Sequence, residues 1–306
     1  MSLDLISCVQ HELFLAHGIT CGDAFDAGHI VSSVYRARRG SEKLVVKIGA
    51  NERSAKEVRR NWEGYNALSA IGASSLRPDY VELLTFLEVP TIVMSDCGPT
   101  FLSVVRVADR PENLYSRLVD AIRPVHVATL RDDADGNALH VLEGLRTLLA
   151  RQYEEHLVGW VSSDALLLLC QTSFERLALR RVCFSSFDFT PENVCLTPHG
   201  VKYIDPPPEV LGIPIIDLAC FAGVARDACQ LPGSEAGYRI LFSYACEELP
   251  QILAIHPQHS FALFCFGRAL QCGLSARFRK ESEPERALMF ARKSESFLVA
   301  FLDLLS

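Results

Sequence analysis

A change of pattern near residue 109 constrains the fold more than any other feature. Up to there the chain reads as strands around one helix, and beyond it, with one exception, as helices. Residues 29–38 (HIVSSVYRAR) and 44–48 (LVVKI) are rich in β-branched side chains, and the polar stretch 39–43 between them suits a hairpin loop. A helix is expected from Ser54, where Ser54, Ala55, Lys56 and Glu57 make a capping-box pattern. Val58, Trp62 and Tyr65 then follow at i, i+4 and i+7, and Gly72 can end it. Strands are expected over 80–89 and 91–95, broken at Pro90. Later helices are expected over 112–130 with Pro124 bending or ending it, over 138–157 with Asn137 as cap, and over 164–180, 217–229, 235–249, 259–276 and 285–304. The exception is 182–217, where apolar triplets alternate with prolines, glycines and polar residues, as in a functional, loop-rich segment. The expected division is 1–97, an antiparallel sheet with one helix, and 98–306, mainly helical: an α+β fold of two lobes.

With 306 residues, 49% of them hydrophobic, the chain can bury a full core. Its longest apolar runs, 165–170 and 261–266, fall far below the roughly 18 residues of a membrane span. The opening Met1-Ser2-Leu3-Asp4 has no basic secretory n-region, so a cytoplasmic protein is expected. Eleven cysteines, none in a C-x-x-C pair, fit reduced core residues of that compartment. The formal charge of −7 is spread evenly, with 10 Lys+Arg against 12 Asp+Glu in residues 1–98 and 20 against 25 in the rest, so neither part is a platform for nucleic acid. His11-Glu12 lacks the second histidine of a zinc-protease motif, and His256 and His259 lack a third ligand.

The chemistry-bearing residues concentrate in 185–219. Asp188 precedes Asn193 by five positions, and Val194-Cys195-Leu196 follows. After a hairpin around 198–200, Val201-Lys202-Tyr203-Ile204-Asp205-Pro206 is a short strand delivering a second aspartate, and Gly212-Ile213-Pro214-Ile215-Ile216-Asp217-Leu218-Ala219 closes the block. Phosphoryl transfer needs a carboxylate facing the acceptor hydroxyl, and an amide oxygen with a second carboxylate to hold Mg²⁺ on the nucleotide phosphates. Asp188, Asn193 and Asp205 supply these groups in that order. Upstream, Lys47 stands inside an apolar strand, where its charge needs an anion. Glu63, at the border of the helix's apolar stripe, is the expected partner, because the capping box already gives Glu57 a structural task.

The ordered set of strand lysine, helix glutamate, D-x-x-x-x-N loop, strand-borne aspartate and D-L-A resembles the protein-kinase-like superfamily. Within it, Ile204-Asp205-Pro206 and the G-x-P-x-x-D-L-A ending at Ala219 are most similar to the aminoglycoside phosphotransferase branch, with its choline, fructosamine and homoserine kinases. The resemblance implies a two-lobed kinase-like fold and an ATP- or GTP-dependent, Mg²⁺-dependent enzyme that phosphorylates the hydroxyl of a small molecule. It implies Asp188 as catalytic base, Asn193 and Asp205 as metal ligands, and Lys47 on the α- and β-phosphates. It also implies Met94, Ser95, Asp96 and Cys97 as the hinge meeting the adenine, Gly28, Ser32 and Ser33 as the phosphate-covering loop, and Asp217 as a brace of the catalytic loop. The family's histidine two residues before the catalytic aspartate is Ser186 here, and the G-x-G-x-x-G of protein kinases is absent. The acceptor is expected between the catalytic loop and the C-terminal helices, where Asp227, Glu247 or Glu248 offers a carboxylate to an amine-bearing substrate. A protein Ser/Thr kinase and a nucleotide-binding pseudokinase are the alternatives. The short run between Asp205 and Asp217 speaks against the first, and retention of Lys47, Asp188, Asn193 and Asp205 against the second.

Overall fold

The computed structural model describes residues 2–25, 33–172 and 174–306. In chain order these form α1 (Ser2–His17), β1 (Ile19–Ala24), β2 (Ser33–Arg39), β3 (Glu42–Ile48), α2 (Glu52–Ala70), β4 (Val81–Phe86), β5 (Val89–Ser95), α3 (Phe101–Val107), α4 (Glu112–Ala128), β6 (Arg131–Asp132), α5 (Asn137–Gln152), α6 (Ser163–Gln171), β7 (Arg181–Phe184), β8 (Val194–Thr197), β9 (Gly200–Tyr203), β10 (Leu211–Gly212), α7 (Pro214–Gly223), α8 (Ser234–Ser243), α9 (Leu249–Leu253), α10 (Pro257–Arg279) and α11 (Pro284–Leu305). They separate into two compact units, Met1–Pro99 with Asn193–Val210, and Thr100–Glu192 with Leu211–Ser306. The hairpin β8–β9 thus belongs to the first unit, whereas a boundary at 97/98 assigns it to the second.

The first unit is built on an antiparallel sheet in the order β1-β2-β3-β5-β4. Alternation along β3 sends Leu44, Val46 and Ile48 into a core closed by Ile6, Val9 and Leu13 of α1. That helix, absent from the sequence expectation, shows its period in these same apolar positions. The turn between β4 and β5 is Leu87-Glu88, both at positive φ, and not Pro90. Pro90 lies inside β5 opposite Thr85, beyond the last pairing with β3 at Ile48↔Thr91, a strand start where its missing N–H is tolerated.

Helix α2 begins two residues earlier than expected, because Asn51 and not Ser54 is the cap. The Asn51 side chain accepts from Ser54 N–H at 2.9 Å, and Asn51 N–H donates to Ser54 Oγ at 3.0 Å. This reciprocal pair stabilises the helix start by about 1 kcal/mol and does not draw on Glu57. The inward face of α2 carries Val58, Asn61, Gly64, Tyr65 and Leu68.

In the second unit α4 continues through Pro124. Helix α5 starts at Gly136, whose φ of 68° suits glycine, and its first amides are capped by Asp133, which accepts from Asn137 and Ala138 N–H at 2.7 and 2.8 Å. Asn137 is therefore the capped residue, not the cap. Helix α6 stops at Gln171, short of the expected 180. The long helices α10 and α11 pack together, and α10 is buried along most of its length. All eleven cysteines are free, six of them buried. Among the described residues no helix is long and apolar enough to cross a membrane.

Gly64 is where α2 meets the chain after Asp205. A Cβ there would lie 2.0 Å from the Pro206 carbonyl oxygen and 2.8 Å from that of Pro207, against backbone that has nowhere to retreat. Gly64→Ala should lower the unfolding free energy by about 3 kcal/mol or more in urea denaturation.

Candidate active site

Lys47 stands in the middle of β3, paired across the sheet with Val34 and Ile92, and is 1% exposed. Its Nζ meets Glu57 Oε1 at 2.7 Å, Asn61 Oδ1 at 2.7 Å and Asp205 Oδ1 at 3.1 Å. An ammonium has three hydrogens to donate, so the set is matched in number. Burial works against the charge, but the pull of Asp205 and the contacts with Glu57 override it and raise the Lys47 pKa. Glu57 and Asn61 stand four apart on α2, one above the other on one face. The expected pairing with Glu63 is thus corrected: Glu63 is exposed, one position off the inward stripe. Asn61 was missed altogether. Its signal was a polar residue between Val58 and Tyr65 in an otherwise apolar stripe.

Asp205 follows β9 with φ of 60°, and its N–H donates to Tyr65 Oη at 3.3 Å. Its side chain is 35% exposed, in contrast to Lys47. Asn193, just before β8, accepts Ile204 N–H on its carbonyl at 2.8 Å, so Asn193 and Asp205 flank the open end of one hairpin. A carboxylate and an amide oxygen are hard donors, and with waters completing the shell they fit Mg²⁺. Among the described residues no three of His, Cys, Asp and Glu gather into a site for a softer metal.

Of the expected hinge, Met94 ends the buried part of β5, its sulfur accepting from Tyr65 Oη at 3.4 Å. Ser95 exchanges hydrogen bonds with Tyr80 through its amide and hydroxyl, and Asp96 N–H donates to Lys43 O at 3.1 Å. The Cys97 thiol, pushed up to about 11 by burial, is an inert neighbour. Ser33 pairs with Ile48 at the start of β2, and Gly28 and Ser32 lie outside the described residues.

In the second unit, β7 leads into the segment carrying Asp188. Buried Ser186 donates its N–H to Asp217 Oδ2 at 2.6 Å, and the Ser185 side chain also hydrogen-bonds that carboxyl. Phe189 N–H returns to Ser186 O at 2.8 Å, and the Phe189 ring packs between Phe184 and Phe221. Between this turn and this buried ring, Asp188 is exposed. Phe184 rests on the buried His126, which burial keeps neutral with a pKa of about 3 and which bonds Tyr244 Oη at 2.7 Å. Each carboxylate expected to receive an amine has a partner within the second unit. Asp227 is ringed by Arg268, Lys293 and Arg226, Glu247 accepts from Ser243, and Glu248 holds Arg123.

The two units define an α+β protein of protein-kinase-like fold. No protein-family model matches the sequence, and no curated protein matches it. Solved structures do match the fold. The aminoglycoside phosphotransferase APH(4)-Ia, as a thermostable variant in ternary complex with AMP-PNP and hygromycin B, matches with a TM-score of 0.54 and 14% identity over 96% of this chain and 98% of that one. Ethanolamine kinase of Plasmodium vivax matches with a TM-score of 0.56 and 12% identity over 98% of this chain and 89% of that one. A candidate aminoglycoside phosphotransferase of Ralstonia eutropha gives 0.55 and 10% over 98% of both. The chain therefore shares the aminoglycoside-phosphotransferase-like form of the kinase fold, and at these identities the likeness defines fold alone.

Burial raises the Asp217 carboxyl from its ordinary 3.8 to about 7, against hydrogen bonds that favour the ionised form. A folded-state value above the unfolded one contributes stability that is complete below about pH 4 and lost as pH rises through about 7. Asp217→Asn should flatten the fall of stability across that window, read by denaturant unfolding at successive pH values.

Proposed function

We propose that this chain is a kinase, transferring the γ-phosphoryl group of a nucleoside triphosphate, ATP before GTP, to the hydroxyl of a small molecule. The observation that carries this reading is the buried Lys47 ammonium joined to Glu57, Asn61 and Asp205, with Asn193 beside Asp205 on the same hairpin. A buried cation with a partly exposed carboxylate partner is a costly arrangement, and a nucleotide site would account for it.

In this reading Lys47 exchanges part of its oxygen shell for nucleotide phosphate oxygens while Glu57 keeps it in place. Asn193 and Asp205 hold Mg²⁺, which supplies charge neutralisation on the phosphates. The backbone of 94–97 receives the adenine, and the start of β2 at Ser33, with Gly28 and Ser32 before it, covers the phosphates. Asp188 accepts the proton of the acceptor hydroxyl, held outward by the Ser186–Phe189 turn and the buried Phe189 ring. Asp217 braces that turn from below through the Ser186 amide. The short link from Asp205 to Asp217, three of whose residues are Pro206, Pro207 and Pro208, leaves no support for a peptide substrate and favours a small acceptor. A cytoplasmic location, where the nucleotide is abundant, fits the same reading.

Thermal unfolding with ATP, with and without Mg²⁺, tests it directly. ATP should stabilise the protein in a metal-dependent manner, and Asp205→Ala should remove the metal-dependent part. Asp188→Ala should keep the ATP shift and lose about 10²-fold or more of turnover against a panel of hydroxyl acceptors followed by mass spectrometry. An unsubstituted protein indifferent to ATP in any divalent metal would sink the proposal.

A further inference from the structure

Asp205 occupies a backbone conformation that it would not choose. Its φ of 60° is left-handed, a region that favours glycine over residues with a Cβ, aspartate tolerating it better than most. The next residue is Pro206, and a proline drives its predecessor toward extended backbone, so two local preferences oppose the observed one. Something outside the segment must hold it there.

We propose that Tyr65 is the positioning residue of Asp205, its buried hydroxyl fixing the strained backbone so that the carboxylate is presented to the metal. The inference rests on the reading of Asp205 as a metal ligand. Tyr65 Oη accepts the Asp205 N–H at 3.3 Å and donates to Met94 Sδ at 3.4 Å, so one hydroxyl ties β5 to the residue after β9. The ring is fully buried. One position earlier, the missing Cβ of Gly64 admits the carbonyls of Pro206 and Pro207 against the helix. One and two turns earlier, Asn61 and Glu57 hold Lys47, which in turn holds the Asp205 carboxylate. A single face of α2 therefore fixes Asp205 at its amide, through Tyr65, and at its carboxylate, through Lys47. The helix and the aspartate form one body.

This arrangement separates metal binding from nucleotide binding in a testable way. Tyr65→Phe keeps the ring in the core and removes only the hydroxyl. The experiment titrates Mg²⁺ at fixed saturating ATP and reads the midpoint of the thermal stabilisation. Tyr65→Phe should raise that midpoint about 3- to 10-fold, the worth of one hydrogen bond, while the shift produced by ATP without metal stays as in the unsubstituted protein. Tyr115→Phe is the control. Tyr115 is another buried tyrosine whose hydroxyl has no partner, and its loss should leave the midpoint in place. A Tyr65→Phe protein that melts lower but keeps the Mg²⁺ midpoint would overturn the proposal, since Tyr65 would then be a core residue and nothing more. That outcome differs from failure of the kinase reading, in which the unsubstituted protein itself shows no metal-dependent ATP shift.

Discussion

An ammonium group withdrawn from water organises the first unit. Several kcal/mol oppose its burial, and removing Glu57 or Asp205 would weaken the compensation of that charge in a low-dielectric interior. Lys47 is fixed by the sheet register, Glu57 and Asn61 by the turn of α2, and Asp205 by the end of the β8–β9 hairpin. β3 and α2 are consecutive in the sequence, the hairpin lies far from both, and the ion cluster joins them. The close fit of Gly64 on Pro206 and Pro207 then leaves α2 little room to move relative to Asp205.

The second unit solves a related problem with a carboxyl. Asp217 is buried in α7, and its oxygens are used by the Ser186 amide and the Ser185 side chain. The brace runs through main chain at 186. The amide that Asp217 accepts is present whatever side chain residue 186 carries. The aromatic contacts of Phe189 with Phe184 and Phe221 fasten the other side of the turn. Asp188 is left exposed between them.

The neutralised acidic residues of the helical region bear on the acceptor. Asp227 works against burial of its own charge, and Arg268, Lys293 and Arg226 together hold its carboxyl below the ordinary range. Arg268, wholly buried, also bonds Gln271 beneath Gly223, so this cluster is part of the packing of α7 against α10. Asp227, one of the three carboxylates named from the sequence for a cationic acceptor, therefore serves the packing of the helical region.

The α+β class, the antiparallel sheet and the helical remainder were legible in the sequence, because strand alternation and helix period are local patterns, and Lys47, Asp188, Asn193, Asp205 and Asp217 stood out in it as candidates through the resemblance they carry. The apolar positions Ile6, Val9 and Leu13 likewise carry the period of α1. Which carboxylate meets Lys47 was decided only in three dimensions. Glu57 and Glu63 are equivalent in kind, and Glu57 lies one turn before Asn61 on the face that meets Lys47, while Glu63 is exposed. The partners of Asn61 and Tyr65 and the left-handed backbone of Asp205 were likewise decided in space, because each takes its meaning from a residue remote in sequence and adjacent in the fold. Local preferences propose elements one at a time, whereas the partners of a buried charge are chosen by packing among all of them.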